Sequence, residues 1–469
     1  MSRVTCREVP VLALQHAAVC LHFLERGDPP ASGALPYPDC PVMASMELDL
    51  LSHRFQIDPP FGSMCETHGR VRIEIIYPDE VEYGSEGRLV TLTCPDTVKE
   101  ADLVISSTRF LRSGLRVWHA VISPADGGHL NEYEVIKLIH LYDGRSERTA
   151  LANMIRFRLG GEQDRMFDAA GLLRAVCPAA GSVELHAGTI EILTDKERAG
   201  SLRHADLLQA VRAASTAPNE AERRRIDKWI DDGKAEGRAI CAYSGILTGI
   251  LDFSHLDVDE ALDSLTPTLP DSSALVRLNR STLSYISEDD RIMRECWSSV
   301  GISPYLIIPH AALIHNDALT DIADTAIERV LSSTNGQLAV MEETFAAADR
   351  NLNGLYLPNV FNYDSERALF EQGAATSGSA DKYSATAAKL RELGGLITAQ
   401  WEARRDRGQM AIAALLAMFS VFQAKDVVFS IAGPGLGPGL RWILLAGLAA
   451  ILLLLITHFW GMGSRRARK

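Results

Sequence analysis

The chain has 469 residues, 47% hydrophobic and 23% charged, which excludes an intrinsically disordered protein. Its 35 Gly and 20 Pro are too few for a fibrous chain. With 47 Lys and Arg against 60 Asp and Glu, the formal charge of −13 argues against a general nucleic-acid binder.

Length predicts about three folded units. Charge is unevenly spread: residues 398–469 hold nine basic and three acidic residues, so an acidic body precedes a basic, very apolar tail. The eight cysteines, Cys6, Cys20, Cys40, Cys65, Cys94, Cys177, Cys241 and Cys296, form no CxxC pair. Scattered cysteines in a long chain indicate a reducing compartment and buried thiols. Without paired ligands they give no zinc motif, and no cofactor is expected.

Residues 9–24 are apolar but interrupted by Gln15, His16 and His22, and no clean cleavage site follows. They predict a packed N-terminal helix rather than a signal peptide. GDPPASGALPYPDCPVMAS (27–45) reads as a loose linker, closing an N-terminal segment of residues 1–45. Residues 46–316 follow as a cytoplasmic α+β domain. RVRIEIIYP (70–78) alternates polar and apolar residues with period two, as a half-buried strand does. Residues 88–94, 101–106 and 115–123 extend the strand pattern. Asn131 then caps a helix running to Tyr142, with Glu134 at capping-box spacing. Residues 182–193 read as a hairpin turning at Ala187–Gly188. Helices are expected at 203–214 and 218–233, and β-rich pieces at 274–286 and 305–315.

From Asp317 a helical texture begins. Long helices over 317–407, broken at 357–363 and at Gly394-Gly395, lead to a very apolar tail. Trp442 to Met462 holds 21 residues without Asp, Glu, Lys or Arg, the length of a membrane span. Met410 to Phe422 is a second apolar run, ending either at Lys425 or, extended, at Ala432. Arg404, Arg405 and Arg407 precede it, and Arg465, Arg466, Arg468 and Lys469 close the chain. The positive-inside rule places both basic clusters in the cytoplasm. The expected fold is therefore a cytoplasmic α+β domain, long helices, and a C-terminal two-helix transmembrane hairpin. The hairpin occupies 408–463 and a basic cytoplasmic tail occupies 464–469.

At 100° per residue, Gln409, Ala413, Leu416, Ser420, Gln423 and Val427 share one face of the first span. That face is a candidate pore lining, or equally a small-residue packing face, with Asp426 a candidate mouth carboxylate. Other chemical sites are weak. Asp349 to Gly354 matches half an EF-hand loop, but position twelve is Val360 rather than Glu. His310 and His315, five apart, read as core or turn histidines. The clusters Asp257, Asp259, Glu260, Asp263 and Glu288, Asp289, Asp290 read as solvated helix starts. There is no Walker loop, HExxH, GxSxG or dinucleotide fingerprint.

The order of parts, long helices, two terminal spans joined by GPGLGPG (433–439) and the tail RRARK, resembles the CorA magnesium-transporter superfamily over residues 317–469. The resemblance implies a homo-oligomer, a pentamer in that family, with the first span lining a pore. Where the family carries Gly-Met-Asn, this chain reads Ser430-Ile431-Ala432-Gly433-Pro434, so magnesium selectivity is not implied. The functional expectation is a homo-oligomeric, multi-pass inner-membrane channel with both termini cytoplasmic. Its partners would be itself, the bilayer and a small-molecule or cation ligand, and no nucleic acid. The alternatives are a membrane-disrupting defence effector gated by a nucleotide-like signal, and a membrane-anchored enzyme or scaffold.

Overall fold

A computed structural model describes residues 2–4, 12–26, 63–77, 80–85, 88–93, 97–110, 112–140, 155–160, 165–178, 180–194, 234–249, 274–278, 282–288, 301–333, 337–357, 361 and 364–431, with isolated positions at 261, 265, 439, 443, 446, 447 and 450. Eleven described strands form two sheets. They are β1 (Ser2–Val4), β2 (Ala17–Arg26), β3 (Ser63–Tyr77), β4 (Glu80–Ser85), β5 (Arg88–Thr93), β6 (Thr97–Phe110), β7 (Leu115–Pro124), β8 (Arg156–Leu159), β9 (Val183–Thr194), β10 (Leu275–Leu278) and β11 (Thr282–Glu288). The described helices are α1 (Glu132–His140), α2 (Ala169–Val176), α3 (Lys234–Thr248), α4 (Pro304–Leu331), α5 (Leu338–Asp349), α6 (Asp364–Thr376) and α7 (Ser379–Ile431).

The main sheet has eight strands in the order β10-β11-β9-β2-β7-β6-β3-β8, and a small sheet has the order β1-β5-β4. All neighbours in the main sheet are antiparallel except β11 and β9. The strand β2 lies at the centre, between β9 and β7. Its odd positions, Ala17, Val19, Leu21 and Phe23, enter one core, which also holds Ile136 of α1, Leu172 of α2 and Ile240 of α3. Its even positions Ala18, Cys20 and Leu24 enter a second core with Ile307, Ala311 and Ile314 of α4 and Phe370 of α6. A strand buried on both faces shows no alternation, so its apolar run is indistinguishable by period from a buried helix. That is why residues 9–24 read as a helix in sequence, whereas Ala17–Arg26 forms a strand in the sheet.

Several local signals fold as their chemistry requires. Asn131 and Glu134 close a capping box: Asn131 N donates to Glu134 Oε2 at 2.8 Å, and Glu134 N donates to Asn131 Oδ1 at 2.9 Å. RVRIEIIY (70–77) lies in β3. Other expectations are corrected. Residues 182–193 form one strand, not a hairpin, with an irregularity opposite His22 and Phe23. The β-rich reading of 305–315 fails, because those residues form the start of α4, where Pro309 sits near the helix N-terminus. The half EF-hand match, Asp349 to Gly354, lies at the end of α5 and in a π-helical turn, Arg350–Leu355. The expected helices at 203–214 and 218–233 lie outside the described residues.

The chain divides into two compact units, Met1–Thr325 with Ala348–Ala387, and Ala326–Ala347 with Ala388–Lys469. The first contains the main sheet. The second contains most of α5 and the greater part of α7. Within it Lys389 Nζ pairs with Glu328 Oε1 at 2.6 Å, and Trp401 Nε1 donates to Glu342 Oε1 at 2.6 Å.

The membrane hairpin is corrected. Among the described residues no helix is long and apolar enough to cross a membrane. The run Met410–Phe422 spans about 20 Å at about 1.5 Å per residue, short of a hydrocarbon core of about 30 Å, and Gln423, Lys425 and Asp426 follow it in the same helix. Trp442–Met462 lies outside the described residues apart from four helical positions. The channel function and the multi-pass inner-membrane location rested on that hairpin and fall with it. Of the candidate pore residues, Gln409, Ala413, Leu416, Ser420 and Gln423 lie exposed on α7. Val427 and Asp426 lie on the same helix, with side chains outside the described residues.

Gly394-Gly395 does not interrupt α7. A Cβ at Gly394 would stand 3.0 Å from the Phe345 ring, whereas one at Gly395 would meet nothing within 4 Å. Gly395→Ala should therefore raise stability by about 0.5–1 kcal/mol through helix propensity. Gly394→Ala should gain less or lose, because the Phe345 ring must move. Urea midpoints of the two variants check this. Equal gains at both positions would contradict the contact.

Candidate metal centre

On the α4 side of the sheet, a row of polar side chains crosses an otherwise apolar face. Its members come from β2, β6, β7, β9 and α4. His22 of β2 stands opposite His119 of β7 in register. Ser106 of β6 stands opposite His119 on its other side. Thr108 of β6, Thr189 of β9 and His310 of α4 complete the row. Cys20 lies two residues before His22, so both side chains point to the same face. Cys20, His22, His119, Ser106 and Thr189 are all 0% exposed.

The contacts form one continuous chain. His22 Nδ1 and His119 Nδ1 are 2.8 Å apart. His22 Nε2 is 2.7 Å from Thr189 Oγ1, and Thr189 Oγ1 is 2.8 Å from His310 Nδ1. His119 Nε2 is 2.8 Å from Thr108 Oγ1. Cys20 Sγ lies 3.8 Å from His22 Nδ1. The ligand atoms of Cys20, His22 and His119 all fall within 4.8 Å of one another.

A neutral imidazole carries one N–H and a hydroxyl one O–H. Each of the four hydrogen bonds needs one hydrogen, so with neutral rings donation across the His22–His119 pair runs in one of two directions. In one, donation runs from His310 through Thr189, His22 and His119 to Thr108. In the other it runs from Thr108 through His119 and His22 to Thr189, which then donates to His310 or accepts from it as well. Both put one proton between the two Nδ1 atoms. If both rings instead carry hydrogen on Nε2, donating to the two threonines, two lone pairs face each other. A cation must then lie between them.

Burial keeps these rings uncharged. It pushes the His22 pKa well below its ordinary value, helped by the neighbouring His310, His119 and His186. Burial lowers His119 to about 3, with His310 adding to the effect, and lowers His310 to about 3, with His186 adding. His186 comes from the β9 irregularity: His22 pairs with Ala187 and Phe23 with Leu185, leaving His186 without a ladder partner on β2. Its Nε2 lies 3.8 Å from Asp317 Oδ2 of α4. Glu191, further along β9, is lifted by burial to about 7, although it accepts the Ser303 N–H at 3.0 Å.

A second polar line seals the far end of the β6–β7 hairpin. Ser113 Oγ is 2.9 Å from His315 Nε2, and His315 stacks on Phe110 at a centroid distance of 4.1 Å. Asn316 clamps Leu357, accepting its N–H and donating to its carbonyl, both at 2.9 Å. Asn316 Oδ1 also lies 3.3 Å from His315 Nδ1. His310 and His315 are core histidines, buried in α4.

Sequence reading missed Cys20, His22 and His119 as a group. The available signal was the Cys-x-His spacing, which aligns two donors only on a strand. His119 is 97 residues away and joins them only through sheet register. The acidic clusters considered above lie outside the described residues, apart from Glu288 at the end of β11 and Ala261 and Leu265 near the first.

Burial lowers the His315 pKa to about 4, opposed by its hydrogen bond to Asn316. A base whose folded pKa is lowered binds fewer protons folded than unfolded between the two values. Its contribution is complete above about 6.5 and is lost as pH falls through that value towards 4. Glu191 works in the opposite sense between about 4.5 and 7. His315→Gln should therefore flatten the acid side of the stability curve between pH 6.5 and 4, by about 3 kcal/mol in all. Urea unfolding at stepped pH checks this, and an unchanged slope would show that His315 is solvated.

No known protein family matches the chain, no curated protein and no solved structure is detectably similar to it, and nothing among them bears on the resemblance to the CorA superfamily.

Proposed function

We propose that the protein binds a d-block metal ion inside its main sheet, through Cys20 Sγ, His22 Nδ1 and His119 Nδ1. The observation that carries this reading is the convergence of one thiol and two imidazole nitrogens within 4.8 Å, all fully buried. Thiolate and imidazole are the donors that such ions prefer.

Two features of the surroundings support it. The remaining nitrogen of each ring meets a threonine hydroxyl, Thr189 for His22 and Thr108 for His119. Metal-bound histidines are held in this way, since the outer N–H then has an acceptor and the ring orientation is fixed. Ser106, beside His119 in the sheet, has a buried hydroxyl with no hydrogen-bond partner. An orphaned buried polar atom next to a donor cluster marks a place where an unseen group would fit.

Two nitrogens on one ion at about 2.0–2.1 Å stand about 3.3–3.6 Å apart, so the ion replaces the 2.8 Å His22–His119 contact and spreads the rings by about 0.5 Å or more. The 3.8 Å between Cys20 Sγ and His22 Nδ1 is close to what one ion requires. Because the donors are sealed from water, the ion has no open position for a substrate. Its role is to tie the N-terminal strand β2 to β7 at the centre of the sheet.

The full-length protein should retain about one equivalent of a transition metal after mild purification, measured by elemental mass spectrometry. Ion at about 100 times its Kd should stabilise the fold by about 2.7 kcal/mol, and a chelator should remove that gain. His22→Ala and His119→Ala should abolish the response. A metal-free protein whose melting temperature ignores added zinc, nickel and copper would leave the row as a purely hydrogen-bonded polar seam.

A further inference from the structure

Resting on the metal reading above, we propose that the ion is copper(I), held in three-coordinate geometry by Cys20, His22 and His119. The first argument is the number of donors. Among the described residues no fourth His, Cys, Asp or Glu joins the group. His310 is adjacent, with its ring 4.8 Å from that of His22, but its Nδ1 is engaged by Thr189. Ser106 offers a hydroxyl, a hard donor. Structural zinc takes four protein ligands, and catalytic zinc takes three with a water. With all three donors 0% exposed, the site lacks the fourth protein ligand of the first arrangement and the solvent-open position of the second.

The second argument is charge. One thiolate neutralises a monovalent ion, leaving a site of zero net charge. A divalent ion with the same ligands leaves one positive charge in a dry interior, and an unpaired buried charge is strongly unfavourable. The nearest acids on this face do not correct the balance. Glu191 is held by the Ser303 N–H, and Asp317 faces His186 and accepts from Ser379 Oγ at 2.8 Å.

The third argument is softness. A thiolate with imidazoles in a three-donor, water-free site selects copper over harder ions. Binding is a ligand exchange with no change of oxidation state. The Cys20 thiol loses its proton to solvent as the sulfur–copper bond forms. The ring that carried hydrogen on Nδ1 binds as its Nε2–H tautomer, losing the Nδ1 proton and taking one up on Nε2, so the only net proton released is that of Cys20.

The test uses the full-length protein under argon, titrated with copper(I) against a chromophoric copper(I) chelator, and in parallel with zinc(II) against a zinc indicator. We expect one copper(I) per chain, at least 100-fold tighter than zinc. Cys20→Ser should weaken copper at least 100-fold, and His315→Gln, outside the cluster, should leave it within threefold. Zinc binding at one equivalent through the same three residues, as tightly as copper, would overturn the copper assignment while leaving the metal site intact. Binding of neither ion, or copper binding indifferent to Cys20→Ser, would overturn both. Should the variants fail to fold, X-ray absorption of the copper-loaded wild type decides. A shell of one sulfur and two nitrogens is expected, and a four-ligand or sulfur-free shell overturns the proposal.

Discussion

A dry interface between the sheet and α4 governs the behaviour of the polar residues inside it. Four imidazoles, a thiol and three hydroxyls lie on a face that is otherwise largely aliphatic and aromatic. With water excluded, each group must find a partner within the protein or raise the free energy of the fold. Charge is excluded for the same reason, which is why burial dominates the lowered pKa of His22, His119 and His310. The result is a hydrogen-bonded chain with two opposite directions of donation and one Nδ1–Nδ1 contact that only a proton or a metal ion can bridge.

The position of β2 gives that contact its structural weight. It is the fourth strand of eight, so its loss would separate β10-β11-β9 from β7-β6-β3-β8. Two of the three proposed ligands sit on it and the third is on its neighbour. An ion there would act as a clasp across the middle of the sheet. Because such a site is not preformed in the unfolded chain, its binding free energy becomes folding free energy. The threonines on either side are as important as the ligands, since they decide which ring nitrogens are available.

The second unit follows a different logic. α7 extends for 53 residues, and Leu390 and Leu393 in its first half are buried. From 401 to 420 nearly every side chain is exposed, including Ile412, Leu415, Leu416 and Phe419. Apolar character alone does not make a span. The uninterrupted apolar stretch is too short, and charged residues bracket it at both ends within one continuous helix.

Local chemistry was legible in the sequence wherever one residue's neighbours decided the outcome. Asn131 and Glu134 satisfy orphan helix donors three residues apart, so their capping box could be read directly. RVRIEIIYP alternates because one face of β3 is buried and the other partly wet. Where burial is two-sided, the alternation disappears, and β2 and the start of α4 were read as the wrong elements. The site suffered the same loss. Cys20 and His22 share a face only once they are in a strand, and His119, Thr108, Thr189 and His310 reach them from β7, β6, β9 and α4. Composition and short-range pattern by themselves determined an α+β body with long C-terminal helices. Sheet register and the packing of α4 decided the cluster, because the contacts that join β2 to β7, β9 and α4 act between residues about a hundred or more positions apart.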